Sequence, residues 1–352
     1  MNISEWFRNG IKENAVYIIA EVSQNHDGSL GQAHAFIDAV AGTGVDAIKF
    51  QTHIAEAEST PDEPFRVKFS YEDETRYDYW KRMEFTAEQW RGLYRHADEK
   101  GLDFLSSAFS VEAFEMLQDI GVPAWKLGSG EIFNKYLFER MAETGKPMLI
   151  STGMSSYADI DEQIGWLKGN PYTIMQCTTA YPCAPEQIGL NMIREMKDKY
   201  NCPIGLSDHS GTIFPSLAAV ANGALMIEVH VTMSPYMFGP DVKASLTIEH
   251  LTEMTEGIRM ITRMINSPVN KNTLSSELQE LKTIFSKGIY LKKDVQRGNC
   301  LGMENICFKK PLKGISGDNY EKVIGAKAVR DLRQGDALDW ADIEAKGDNY
   351  LK

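Results

Sequence analysis

The sequence predicts a closed (β/α)8 barrel, the TIM-barrel architecture, followed by a small β-rich domain. Three observations carry that prediction: eight short apolar runs alternate with amphipathic stretches over about 250 residues, no glycine-rich dinucleotide fingerprint opens any helix, and the texture changes abruptly after Ile265.

The apolar runs fall at 16–22, 45–50, 102–107, 124–128, 147–151, 173–177, 203–207 and 225–232. Several are continuously apolar, as strands buried on both faces require. Helical patterns lie between them at 31–43, 87–100, 111–120, 135–144, 158–168, 190–199, 213–223 and 249–265, and Gly101 sits where a helix C-cap belongs. One connection is longer than the rest. More than 30 residues rich in Glu, Asp, Tyr and Phe separate Gln51 from the helix near Thr86, and such an insertion reads either as a lid or as a passive excursion.

The barrel domain is expected over 1–265. A linker over 266–283 starts with Asn266-Ser-Pro-Val-Asn-Lys-Asn-Thr. The second domain, over 284–352, carries two similar phrases, GIYLKKDVQRGNCLGMENI and AKAVRDLRQGDALDWADI. Each has an apolar stretch, a basic-x-x-Gly turn and a final Ile, as two pseudo-repeated halves would.

Composition narrows the partners. The 352 residues carry a formal net charge of -12 and are 43% hydrophobic, which argues against nucleic acid. No apolar run is long enough to span a bilayer, so no membrane association is expected. Five cysteines without CxxC spacing, and a polar start unlike a signal peptide, lead to the expectation of a reducing cytoplasmic location.

In a barrel, chemistry gathers at the C-terminal ends of the strands. The polar residues there are Glu21; Lys49 and Gln51; Ser106 and Ser107; Lys126, Ser129 and Glu131; Ser151; Thr178, Thr179 and Tyr181; Ser207, Asp208 and His209; and Glu228 and His230. Two lysines, several hydroxyls and glycine-rich turns on one face suit a phosphate. Taken singly, a serine could equally cap a helix. His209 and His230 end adjacent strands and could share a divalent metal or remain unbound. His26 falls in the turn after the first strand, near the mouth, whereas His34, His53, His96 and His250 read as surface. Glu21, in an otherwise apolar run, is either paired with a lysine or a general base.

These residues sit in motifs that resemble the sialic acid synthase (N-acetylneuraminate synthase) family. IIAEVSQNHDG at 18–28, DAIKFQT, FLSSAFS, KLGSGEI, GKPMLISTGMSS, QCTTAYP, GLSDHS, EVHVT and GPDVKASL match its motifs in order, and the tail resembles its antifreeze-like, or SAF, domain. The resemblance implies a metal-assisted, phosphoenolpyruvate-dependent condensation with an open-chain hexose or hexosamine, giving a 2-keto-3-deoxy acid and phosphate. It implies a divalent metal on His209 and His230, typically manganese, with magnesium or cobalt as alternatives. Lys49, Ser107, Lys126, Ser129, Ser151, Thr179 and Ser207 would hold phosphoenolpyruvate. Gln51, Glu131, Tyr181, Asp241 and Lys287 would face the sugar. Glu21, Lys49, Lys126 and Glu131 would act in catalysis, within a domain-swapped homodimer.

The chain departs from the family at Val229 and Val242, where a Lys and a His are usual, and at Ser286-Lys287-Gly288, where an arginine that meets the sugar's N-acetyl group is usual. On this reading a differently decorated sugar is expected. Two rival readings are a Schiff-base lysine aldolase and a non-catalytic sugar-binding protein on the same fold.

Overall fold

A computed structural model describes residues 1–65 and 67–344. The eight apolar runs form parallel strands: β1 (Tyr17–Ser23), β2 (Ala47–Thr52), β3 (Asp103–Ala108), β4 (Trp125–Leu127), β5 (Met148–Ser151), β6 (Tyr172–Cys177), β7 (Ile204–Asp208) and β8 (Met226–Thr232). Each pairs with the next, and β8 pairs with β1 to close the barrel. At the mouth, β1 leaves β8 after the pair Glu21–His230, and β9 (Ser245–Thr247) pairs with His230, Val231 and Thr232 instead.

Alternation along each strand sorts the side chains into two packing environments. Ile18, Ala20, Ile48, Phe50, Phe104, Ile150, Ile174, Leu206 and Val229 belong to the large core between strands and helices. Tyr17, Ile19, Ala47, Leu105, Leu149, Met175 and Met226 form a separate apolar layer inside the barrel, sealed by Ile3 and Trp6 from the N-terminal turn. Positions two residues further along these strands end that layer and begin the polar one described below.

The helices keep the expected order. Thr86 and Ser156 close capping boxes at the starts of Ala87–Glu99 and Tyr157–Gly165, each satisfying donors that a helix terminus leaves free. Gly101, with φ +75°, lets the chain turn back so that Leu102 N–H reaches the Ala97 carbonyl at 2.9 Å.

The long connection after β2 is folded. It holds the helices Ala55–Glu58 and Arg76–Met83 and a small core of Ala55, Tyr79, Trp80 and Met83, with Phe65, Phe69 and Tyr77 against it. Arg82 binds Asp73 at 2.9 Å and reaches Asp27, in the turn after β1, at 2.6 Å. The insertion is thus tied to the barrel mouth.

The boundary between compact units lies at Pro268–Val269, and the expected linker is corrected in part: Ser276–Phe285 is a helix capped by Ser275. Leu278, Leu281 and Phe285 are all exposed on it, so apolar spacing rather than burial marks it. The second unit continues with β10 (Gly288–Leu291) antiparallel to β11 (Ile306–Lys309), and β12 (Lys327–Ala328) antiparallel to β13 (Ile343–Glu344). Its two phrases are structural repeats. Val295 bridges Leu332, Gly298 and Gly335 both have positive φ, and the bonds are reciprocal: Arg297 N–H donates to Asp331 and Gln334 N–H to Asp294. The end of the expected domain, 345–352, lies outside the described residues. All five cysteines are free thiols, and no described helix is long and apolar enough to cross a membrane.

Candidate active site at the barrel mouth

Two residues beyond the inner apolar layer, the same strand faces become polar. Glu21 follows Ile19, Lys49 follows Ala47, Ser107 follows Leu105, Ser151 follows Leu149, Cys177 follows Met175, and Glu228 follows Met226. Lys126 occupies the matching place on β4. Glu21, Lys49, Lys126 and Glu228 are at most 3% exposed.

Buried charges need partners, and these four supply one another. Lys49 Nζ lies 2.5 Å from Glu21 Oε2 and 3.9 Å from Glu228 Oε2, and donates to Ser107 Oγ at 3.3 Å. Lys126 Nζ lies 2.8 Å from Glu228 Oε1, which also accepts from Ser207 Oγ at 3.0 Å. Burial alone would push the Lys49 ammonium toward neutrality, but Glu21 and Glu228 outweigh it and hold the group above its ordinary value. Burial likewise works against charge on Glu228, and the two lysines hold it well below the usual carboxylate range. The result is a charge-balanced box of two cations and two anions.

Above the box is a cavity of about 180 Å³. Lys49, Gln51, Ser107, Lys126, Ser129, Ser151, Thr179, Tyr181, Ser207, His209 and His230 all line it, together with Phe109, Cys177, Glu228 and the glycines 128 and 130. The Ser151 and Thr179 hydroxyls are buried on its wall with no hydrogen-bond partner. Gly153 is required beside them: a Cβ there would sit 2.5 Å from Thr179 Oγ1 and 2.7 Å from Ser129 Oγ, and its N–H donates to Ser129 Oγ at 2.9 Å.

The two histidines face each other with ring centroids 5.0 Å apart. The Thr178 carbonyl, 2.9 Å from His209 Nδ1, can only accept, so the ring proton sits on Nδ1 and Nε2 presents a lone pair 3.1 Å from the Tyr181 hydroxyl. Burial, with His230 nearby, lowers His209 to about 3, so its imidazole is neutral. His230 Nδ1 is buried without a hydrogen-bond partner. A neutral imidazole beside an orphaned buried nitrogen fits a divalent cation. Among the described residues, no group of three or more His, Cys, Asp or Glu is arranged to hold one.

Four expected site residues lie outside the lining. Glu21 is behind Lys49 and reaches the cavity only through it and Gln51, whose amide donates to Glu21 Oε1 at 3.0 Å. Glu131 is half-buried just beyond Gly130, its carboxyl raised by burial. Asp241 accepts a hydrogen bond from the Ser23 hydroxyl and lies 3.8 Å from His230 Nδ1. Lys287 is exposed in the second unit, one residue before β10.

Two expectations are corrected. Val229 does not face the sugar side: it alternates with Glu228 and His230 and packs into the core between strands and helices. His53 is not a surface residue. It is 4% exposed, stacked between Trp80 at 3.9 Å and Phe109 at 4.4 Å. Glu228, named at the strand ends without a role, is the anion shared by both lysines, and its spacing two residues before His230 places it on the same face.

Comparison with known proteins follows the same outline. The sequence model of the NeuB family matches residues 36–270, and that of the SAF domain matches residues 286–344. The chain is 32% identical to the N,N'-diacetyllegionaminic acid synthase of Campylobacter jejuni over 329 residues, 91% of this chain and 98% of that one. It is also 32% identical to the human N-acetylneuraminate-9-phosphate synthase over 348 residues, covering 97% and 95%. Among solved structures, a sialic acid synthetase from Leptospira borgpetersenii aligns with TM-score 0.67 at 30% identity, over 77% of this chain and 91% of that one. The spore coat polysaccharide biosynthesis protein SpsE of Bacillus subtilis aligns with TM-score 0.62 at 31% identity, covering 94% and 96%.

Proposed function

Because the chain belongs to the NeuB family and carries a SAF domain after its barrel, we propose that it condenses phosphoenolpyruvate with an open-chain hexosamine derivative. The products are a nonulosonic (sialic-type) 2-keto-3-deoxy acid and phosphate. The observation that carries this reading is the polar layer of the barrel: two buried lysines, partnerless hydroxyls and two facing imidazoles converge on one cavity.

In the proposed chemistry, C3 of phosphoenolpyruvate bonds to the aldehyde carbon, whose oxygen becomes a hydroxyl. Water adds at C2, and the C2–O bond to phosphate then breaks, leaving the ketone. Ser107, Ser129, Ser151, Thr179 and Ser207 ring the phosphoenolpyruvate end as hydrogen-bond donors. Lys49 and Lys126 hold negative charge there as it shifts onto phosphate. Glu21 keeps Lys49 charged and is the carboxylate placed to move protons at its Nζ. Gln51 and Tyr181 face the acceptor. His209 and His230 would hold a divalent metal, manganese in this reading, which supplies Lewis acidity toward the aldehyde oxygen. The second unit is proposed to cap the barrel of a partner copy, a reading supported by the exposed apolar face of Ser276–Phe285.

Phosphate release across a panel of N-acetylmannosamine and diacetamido-trideoxy hexoses tests the reaction. One acceptor should give phosphate and keto acid in equal amounts, with an ¹⁸O label at the bridging oxygen leaving in phosphate. Chelator should stop turnover and manganese restore it, and His209→Ala or His230→Ala should be inactive yet folded. No phosphate from any acceptor, or full turnover in excess chelator, would overturn the respective part. Borohydride should trap no pyruvate adduct. Equilibrium sedimentation should return twice the chain mass; a monomer at assay concentration would overturn the capping arrangement.

A further inference from the structure

His53 has no assigned part in the reaction, yet it is built into the mouth with unusual care. Its ring is the middle layer of a three-ring stack. Trp80, from the insertion, lies 3.9 Å away at 10°, and Phe109, which lines the cavity, lies 4.4 Å away at 14°. Both of its nitrogens are engaged. Nδ1 is 2.6 Å from Glu58 Oε1, with the two side chains only 3% and 7% exposed. Nε2 is 2.8 Å from Gln24 Nε2.

The Glu58 carboxylate only accepts, and the Gln24 amide nitrogen, which also donates to Gln51 Oε1 at 2.6 Å, only donates. His53 Nε2 is therefore the acceptor, and the ring proton sits on Nδ1 facing Glu58. The chain of bonds then runs on. Gln51 donates to Glu21 Oε1 at 3.0 Å, and Glu21 Oε2 lies 2.5 Å from Lys49 Nζ. Each amide has a polarity set by the neighbour before it. Reversing Gln24 would place its oxygen against the His53 lone pair and against Gln51 Oε1. Reversing Gln51 would set its oxygen against the Glu21 carboxylate.

We propose that His53, oriented by Glu58 from the insertion, is a positioning residue for the condensation: it sets the Gln24 amide, which sets Gln51 and through it the Glu21 carboxylate beside Lys49. The insertion thereby contributes to catalysis without touching substrate. The proposal rests on the condensation reading for its consequence in turnover, but its geometry stands apart from that reading.

Two sets of variants test it. Gln24→Met removes the amide at constant shape. His53→Phe combined with Glu58→Gln keeps a ring in the stack, removes both nitrogens and leaves no buried charge stranded. Each should lower kcat roughly 10- to 100-fold, the scale of a small misplacement of reacting groups, with phosphoenolpyruvate affinity by calorimetry unchanged. Because the groups act in one chain, combining the sets should cost no more than the worse of the two. Unchanged kcat with a lowered melting temperature, or costs that multiply, would reduce His53 to a packing residue. A second measurement needs no turnover. In protein labelled with ¹⁵N-histidine, His53 should appear as the Nδ1–H tautomer. Gln51 Oε1 itself lies 3.4 Å from Nε2, so the informative variant is Glu21→Gln, beyond Gln51 in the chain, which should still shift the Nε2 resonance. An Nε2 resonance indifferent to Glu21→Gln would overturn the proposal. A wild-type protein that released no phosphate would sink the condensation reading and leave this second measurement decisive.

Discussion

The barrel interior has two floors made by the same strands, and they solve opposite problems. The lower floor, with Leu105, Leu149, Met175 and Met226, is uniformly apolar and sealed by Ile3 and Trp6. The upper floor, two residues along, buries two lysines and two glutamates almost as completely. Burying apolar surface contributes stability directly. A buried ion box contributes little net stability, because desolvation offsets the attraction. What the upper floor gains is electrostatic preorganisation: cations fixed in place, with little water to reorganise when charge shifts onto phosphate.

Matched substitutions on the two floors should separate these roles. Lys126→Met removes a cation from the cavity wall and should lower kcat/KM for phosphoenolpyruvate by roughly 10²- to 10³-fold. Pairing it with Glu228→Gln should recover stability, since no buried carboxylate is then left without its cation, while turnover stays low. Leu149→Ala, two residues below Ser151 on β5, should do the reverse. It should cost about 2–5 kcal/mol in urea unfolding, as core truncations do, and leave kcat unchanged at temperatures where the protein is folded. If Leu149→Ala lowered kcat as much as Lys126→Met, the floors would not be functionally separate.

This division also explains which parts were legible in the sequence. Every barrel strand was found within two residues, because a buried parallel strand is a dense apolar run. Glu21, Lys49, Lys126 and His230 stood out because each interrupts such a run. Period-two alternation within β8 places Val229 in the outer core and leaves Glu228, one of the polar strand-end residues, on the same face as His230. His53 was not legible. Its burial is produced by Trp80 and Phe109, from two other parts of the chain, and a histidine just past a strand end carries no local sign of that. The helix Ser276–Phe285 was masked by the Asn- and Pro-containing stretch before it, whose loop composition was extended too far.

A buried histidine outside the metal pair offers the finest test of how dry the mouth is. His26 is 1% exposed, lies against Phe85 with ring centroids 4.9 Å apart, and accepts a hydrogen bond from Gly28 N–H at 3.2 Å. Burial, with a smaller push from His53, lowers it to about 3. The ring therefore stays neutral in the folded protein at pH values where the unfolded chain has already taken up a proton. Between about pH 6.5 and pH 3 the unfolded state binds more protons at this site, so His26 contributes stability above that window and loses it as pH falls through it. The expected slope from one such group approaches about 1.4 kcal/mol per pH unit within the window. His26→Gln, which does not titrate and keeps an acceptor for Gly28, should flatten the acid limb of urea-unfolding stability by up to that slope and leave the curve above pH 7 parallel to wild type. Acid limbs that coincide would mean that water reaches His26, and that the dry environment of the upper floor does not extend into the turn after β1.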